Sequence, residues 1–173
     1  MNIAPVLCAF LGFLLLRSAA AKLRNPAAFQ SILERYPGAV RLRWLRPARL
    51  APWFEFLLAA GLLLPLSVTR APSAWGTLFF LLLASAAIFE RYRRGEERFA
   101  CGCSAEMETE MPALGILARN GMLLLASAAA LAGPLSAVSL SHYGLGLALL
   151  LALDLVEAAL AQEGRIRAWK VRG

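Results

Sequence analysis

Two of the three cysteines in the chain form the sequence Cys101-Gly102-Cys103. Two thiols at this spacing can close a small disulfide, because the intervening glycine supplies the backbone freedom that a tight ring requires. Such a ring is strained, so its disulfide is reduced more readily than a relaxed structural one. The spacing therefore predicts a redox-active pair, and an inert structural pair is the simplest alternative.

A soft-metal site is a second use for the same two thiols, since adjacent thiolates can bind Cu(I) or Zn(II). Met107 and Met111 follow closely and would complete a copper-type site. A tetrahedral zinc site is poorly supplied, because there is no second cysteine pair and the single histidine, His142, is predicted on the opposite side of the membrane. The third cysteine, Cys8, is expected to be a small packing residue in an apolar stretch.

The composition places these thiols in a membrane protein. Hydrophobic residues make up 60% of the 173 residues and charged residues 17%, whereas a soluble domain has about 45–50% and about 25%. The net charge of +7, from 18 basic and 11 acidic residues, coexists with long uncharged runs. We therefore interpret the basic excess as membrane topology and not as nucleic-acid affinity. Residues 1–173 are predicted to form a single integral membrane domain.

Five apolar stretches are long enough to cross the hydrocarbon core, which needs about 20 residues in a helix. They are residues 3–22, 51–69, 72–90, 113–132 and 139–160. The predicted fold is an all-α membrane protein, with a four-helix transmembrane bundle and a fifth C-terminal span. Four spans with a peripheral fifth helix are the alternative. The first stretch lacks the basic start of a signal peptide, so we expect it to be retained.

A short amphipathic helix is predicted directly after the first span. Asn25 and Pro26 are typical of a helix start, and Pro37 with Gly38 are typical of its end. Four apolar residues between them share one helical face: Phe29, Ile32, Leu33 and Tyr36. We expect the helix to lie on the bilayer interface, and a lid over a site at that side of the membrane is the alternative.

The distribution of basic residues predicts the orientation. Seven lie in or beside residues 23–50, four in residues 91–112 and four in the C-terminal tail, whereas only Arg70 falls in a predicted loop on the other side. Basic loops stay in the cytoplasm. The chain is thus predicted to cross a bacterial-type inner (plasma) membrane with its N-terminus outside and its C-terminus in the cytoplasm.

Ionisable residues inside the predicted spans indicate a polar pocket beneath the thiols, since charges at such depth are costly. At the helical rise, Glu55, Arg17 and Arg119 lie roughly 6, 8 and 9 Å inside their spans, and Asn120 follows Arg119. We predict a direct contact between Glu55 and Arg119, with the arginine favouring the thiolate form of the cysteines. In the alternative interpretation, Arg17 and Arg119 extend toward the headgroups, and Glu55 is protonated or pairs with a nearby arginine.

Three further acidic residues are predicted on the same side of the membrane. Glu90 closes the third span, and Asp154 with Glu157 lie three residues apart near the end of the fifth. We expect the last two to be the acidic end of a tilted helix.

Several of these segments together resemble the methylamine-utilisation MauE family, which is grouped with DoxX-like membrane proteins. The resemblance covers about residues 5–132. It rests on RSAAAKLRNPAAF (17–29), LAPWFEFLLAAGLLL (50–64), Cys101-Gly102-Cys103 and Arg119-Asn120. It implies a thiol-redox role in maturing a disulfide-rich subunit of methylamine dehydrogenase, with a thioredoxin-like partner. The chain departs from the family pattern in having Ser104 and Ala105 where Phe-Gly is usual, so its loop is expected to be more mobile or differently engaged.

The predicted function is thus thiol–disulfide exchange by Cys101 and Cys103 with a thioredoxin-like protein. A weaker likeness to vitamin K epoxide reductase relatives makes a quinone a candidate electron partner, although no residue identifies one. The charge bias places the thiols on the cytoplasmic side, whereas the partner of the family is periplasmic. We keep the predicted orientation and do not assign the partner to either side of the membrane. The alternatives are the soft-metal protein and a non-catalytic membrane subunit of a larger complex.

Overall fold

The computed structural model describes residues 3–34, 49–64, 67–100, 110–133 and 139–172. The described part of the chain is helical, as predicted, except for one small ribbon that the sequence did not indicate. Its elements are α1 (Ala4–Arg24), α2 (Pro26–Glu34), α3 (Ala51–Leu63), α4 (Ser67–Arg93), β1 (Arg98–Ala100), β2 (Glu110–Pro112), α5 (Ala113–Ala132) and α6 (Leu140–Arg172).

Four helices pack as a closed ring around one core. Helix α1 packs on α3, α3 on α4, α4 on α5, and α5 on α1 again, while α6 packs from outside against α1. Leucines such as Leu11, Leu15, Leu62 and Leu123 fill the centre. Cys8 is fully buried in the same cluster, as expected for a packing residue.

Three helices are long and apolar enough to cross a membrane: Ala4–Arg24, Val68–Arg93 and Ala113–Ala132. The apolar helices Ala51–Leu63 and Leu140–Val156 are shorter. Thirteen residues in α3 reach only about 20 Å, against about 30 Å of hydrocarbon. A membrane protein is therefore supported, and the count of five or four spans stays a prediction.

The second predicted span was placed wrongly. Residues 51–69 are not one helix, because α3 ends at Leu63. Leu64 has φ −62° and ψ 141°, the extended conformation that a following proline favours, and Pro65 follows in the sequence. The Tyr143 hydroxyl of α6 donates to the Leu63 carbonyl, which satisfies one of the acceptors exposed at the end of α3.

Arg70 was also placed wrongly, in a loop. It lies inside α4 with its side chain buried. Its Nη2 donates to the Leu64 carbonyl at 3.2 Å. The charge that marked a loop in the sequence instead satisfies a carbonyl at the end of the neighbouring helix, where acceptors lack helical partners.

Helix α2 starts where its sequence signals indicate. The Asn25 Oδ1 accepts a hydrogen bond from the Ala28 backbone N–H at 3.2 Å, as a capping residue does. Phe29 and Ile32 are buried against residues of α1 and α3. The location of α2 on the bilayer interface stays a prediction. Three residues of that prediction lie outside the described part of the chain: Tyr36, Pro37 and Gly38.

Candidate functional site

The two cysteines of the predicted redox pair follow directly on strand β1. Cys101 and Cys103 themselves lie outside the described residues. The strands on either side pair antiparallel, with Ala100 opposite Glu110, so the ribbon brings together the two ends of the segment that carries both thiols. An apolar cluster joins the ribbon to the two helices. Its buried members are Met111 of β2, Ala113 and Ile116 of α5, and Ile88 of α4. The thiol segment is therefore anchored where α4 ends and α5 begins.

A braced turn joins α4 to the ribbon. The Arg91 guanidinium is buried and donates to the Glu96 carboxylate, from Nε at 2.9 Å and also from Nη2. Gly95 between them has φ +88°, a left-handed conformation that favours glycine. The Ala113 N–H at the start of α5 donates to the Glu97 carbonyl at 2.9 Å. These bonds fix the direction in which the ribbon leaves the bundle.

Met111, one of the proposed soft-metal ligands, packs into this apolar cluster from strand β2. Its side chain is buried against Ile88 and Ile116. Such packing gives the thioether an apolar role, which weakens the copper-type alternative. The other proposed ligands of that site, Cys101, Cys103 and Met107, lie outside the described residues.

Glu55 forms a buried ion pair, but with Lys22 of α1 and not with the predicted partner, Arg119. The Lys22 ammonium donates to Glu55 Oε1 and to Ser18 Oγ, the latter at 3.0 Å. Only 3% of the Lys22 side chain and none of the Glu55 side chain is exposed. The carboxylate takes the cation of α1 because α3 packs along α1 in the helix ring.

Aromatic rings enclose the same ammonium. Lys22 Nζ lies 5.5 Å from the ring centroid of Phe29 in α2 and 6.0 Å from that of Phe80 in α4. These are cation–π distances, so Lys22 ties together four helices. Lys22 was not predicted as a site residue, because it ends the first apolar stretch and was counted as a loop charge. The signal was available: Ser18 and Lys22 are four residues apart and therefore share a helical face.

Arg17 pairs with Asp154 of α6 through its Nη1. Both side chains are partly exposed. Asp154 is thus more than the acidic end of a tilted helix, because it holds α6 against α1. The side chain of Glu157 lies outside the described part of the chain.

Arg119 and Asn120 are both buried in the bundle, 8% and 2% exposed. They line a cavity of about 20 Å³ between α1, α4 and α5, together with Arg17 and Ser18 of α1. The Asn120 Nδ2 donates to Ser85 Oγ of α4 at 3.3 Å. The structure thus brings Arg17, Arg119 and Asn120 to one place and connects Glu55 to it through Lys22 and Ser18.

Glu90 does not join this buried group. It lies on the surface at the end of α4 and accepts two hydrogen bonds from Arg94, at 2.9 and 3.0 Å. Both side chains are about half exposed, and such a pair within one helix contributes little to stability. The polar interior therefore consists of residues from α1, α3, α4 and α5.

The first part of the chain matches a known protein family. A family model, described as methylamine utilisation protein MauE, matches residues 1–133. No curated protein and no solved structure gave a significant match. The matched part contains the four-helix ring, the ribbon and every residue around the cavity, and it ends before α6. With three helices that are long and apolar enough to span a bilayer, this chain is a membrane protein that belongs to the MauE family.

Proposed function

We propose that this protein exchanges thiols and disulfides with a thioredoxin-like partner through Cys101 and Cys103. Within the MauE family, such an activity would serve the maturation of a disulfide-containing protein such as methylamine dehydrogenase. The observation that carries the proposal is the ribbon. Pairing of Ala100 with Glu110 holds the two residues that flank the cysteine-bearing segment together, between the end of α4 and the start of α5.

The exchange conserves atoms and electrons without a further reactant. A thiolate of the partner attacks one sulfur of the Cys101–Cys103 disulfide, forms a mixed disulfide and releases the other cysteine as a thiolate. The partner's second thiolate then attacks the mixed disulfide and releases the first cysteine. Two electrons pass from the partner dithiol to the pair, so the partner is oxidised, and the same steps in reverse reduce the partner's disulfide.

The polar interior would support this chemistry as a group. Arg17, Arg119 and Asn120 line one cavity, and Glu55 is linked to it through Lys22. Positive charge near a cysteine lowers its pKa and increases the thiolate fraction. We assign these residues a positioning and electrostatic role, and the bond-making role to the two cysteines.

Cys101 and Cys103 are expected to titrate as a single two-electron couple. In membranes equilibrated over a series of glutathione redox buffers, mass-tag alkylation should show two thiols gained together on reduction. Cys8→Ala should leave this transition unchanged, because Cys8 is buried in the core. Cys101→Ser or Cys103→Ser should abolish it, since neither variant can close the ring.

A stoichiometric amount of a reduced thioredoxin-like protein should produce the same two-thiol change in the parent. The proposal is contradicted if the two thiols titrate independently as glutathione adducts. It is equally contradicted if the reduced partner leaves the pair unchanged under conditions in which dithiothreitol reduces it.

The charge bias leads to a further expected result, on orientation. A membrane-impermeant maleimide added to intact spheroplasts should leave reduced Cys101 and Cys103 unlabelled, and labelling should appear once the membrane is opened. Cysteines introduced at Ile3 and at Gly173 serve as controls for the two sides. Labelling of the native pair in intact spheroplasts would reverse the orientation and place the partner in the periplasm.

A further inference from the structure

We propose that the cavity between α1, α4 and α5 is a binding site for one water molecule, which joins Ser18 to Asn120. The proposal concerns the core of the helix ring and does not depend on the thiol chemistry. Ser18 and Asn120 are 4% and 2% exposed, and both line the cavity together with two arginines.

The size of the cavity fits a water molecule. Its volume is about 20 Å³. A cavity needs a volume of roughly 10–15 Å³ to hold one water molecule. The walls contributed by Leu14, Leu81 and Leu123 are apolar, so any hydrogen bonds must come from the polar end.

The hydrogen-bonding capacity of that end also fits water. Ser18 Oγ accepts from Lys22, and its own proton has no acceptor among the residues that the structure describes. Asn120 uses Nδ2 as a donor to Ser85, which leaves its Oδ1 as an acceptor. A water that accepts from Ser18 and donates to Asn120 satisfies both, and a guanidinium of Arg17 or Arg119 supplies further donors. Buried waters typically make two to four such bonds.

The water completes a continuous polar belt through all four helices of the ring. The belt runs from Glu55 in α3 through Lys22 and Ser18 in α1, then through the water to Asn120 in α5 and Ser85 in α4. Polar groups inside a membrane protein must be satisfied internally, because the surrounding hydrocarbon offers no partners. The belt contributes to this by linking α3 to α1, α1 to α5, and α5 to α4.

An Ala84→Val substitution distinguishes a hydrated cavity from a dry one. Ala84 lines the cavity from α4. The added methyl groups of valine would therefore fill the space that the water molecule occupies. Filling a dry apolar void stabilises a protein, whereas displacing the water leaves Ser18 and Asn120 unsatisfied. We expect the thermal denaturation midpoint to fall by roughly 3 °C or more. The matched control is Ala87→Val, at an exposed position of the same helix.

The sign of this effect should reverse when the polar partners are removed. In a Ser18→Ala/Asn120→Leu background, Ala84→Val should leave the midpoint unchanged or raise it. Radiolytic hydroxyl-radical footprinting of the unmutated protein gives a second readout, because bound water generates radicals locally. Leu81, beside the cavity, should be modified several-fold more than Leu58, which is equally buried away from it. A higher midpoint for Ala84→Val alone, or equal modification of the two leucines, would overturn the proposal.

Discussion

A Lys22→Met variant is expected to unfold about 3–5 kcal/mol more easily than the parent, because it removes the ammonium that pairs with the buried Glu55 carboxylate. Neither side chain of the pair has appreciable contact with solvent, so water cannot replace the ammonium. For a chain of this size the loss corresponds to a fall of roughly 6–20 °C in the denaturation midpoint. The midpoint can be measured in detergent or nanodiscs by size-exclusion chromatography after heating.

Two variants make this result specific to the ion pair. Arg24→Met removes an exposed charge from the same helix and should change the midpoint by no more than about 2 °C. Lys22→Met combined with Glu55→Leu removes both charges, and it should recover most of the lost stability, since a buried pair can often be replaced by apolar residues without loss. The prediction is contradicted if Lys22→Met is as stable as the parent. It is also contradicted if the double variant is no more stable than Lys22→Met alone.

Gly146→Val is expected to displace α6 from α1. A Cβ at Gly146 would lie 2.8 Å from the Phe10 backbone nitrogen and 2.8 Å from the Ala9 Cβ. Backbone cannot yield locally as a flexible side chain does, so the helices must separate. Overpacking of this kind costs about 1–3 kcal/mol, and the displacement would also break the Arg17–Asp154 ion pair. We expect a midpoint roughly 3–10 °C below that of the parent.

Cross-linking measures the displacement directly. The rings of Phe13 and Tyr143 are 6.3 Å apart, so cysteines at these positions, in a background without the native cysteines, should be linked efficiently by a short bifunctional reagent. The yield should fall sharply with Gly146→Val and stay unchanged with Gly144→Val, where a Cβ meets nothing within 4 Å. Equal yields and equal midpoints for the two variants would show that the close approach is not needed for docking.

Features that local sequence controls were predictable. Residues 113–132 were predicted as one helix and form α5, since a long apolar run bounded by Pro112 and Gly133 leaves little choice. The start of α2 followed from its capping asparagine. Proline at position 65 marked the end of α3 equally well, but the prediction gave more weight to the apolar residues that surround it.

The partner of Glu55 could not be predicted, for a different reason. Arg119 and Lys22 both carry a cation near the same end of the bundle, and helical periodicity does not reveal which helix lies beside α3. That choice depends on the order of helices around the ring. The ribbon escaped prediction because Arg98–Ala100 and Glu110–Pro112 are three-residue strands, too short for alternation to be recognised.

The contact between Arg17 and Asp154 has a consequence for the order of events during synthesis. The two residues are 137 positions apart, and a ribosome adding about 5–20 residues per second needs roughly 7–27 s to pass from one to the other. During that interval α1 is already available for insertion while its acidic partner does not yet exist. The long, flexible arginine side chain can meanwhile extend toward the headgroups. Capture of Arg17 by α6 is therefore among the last steps of assembly, after all of the residues that form the four-helix ring have been made.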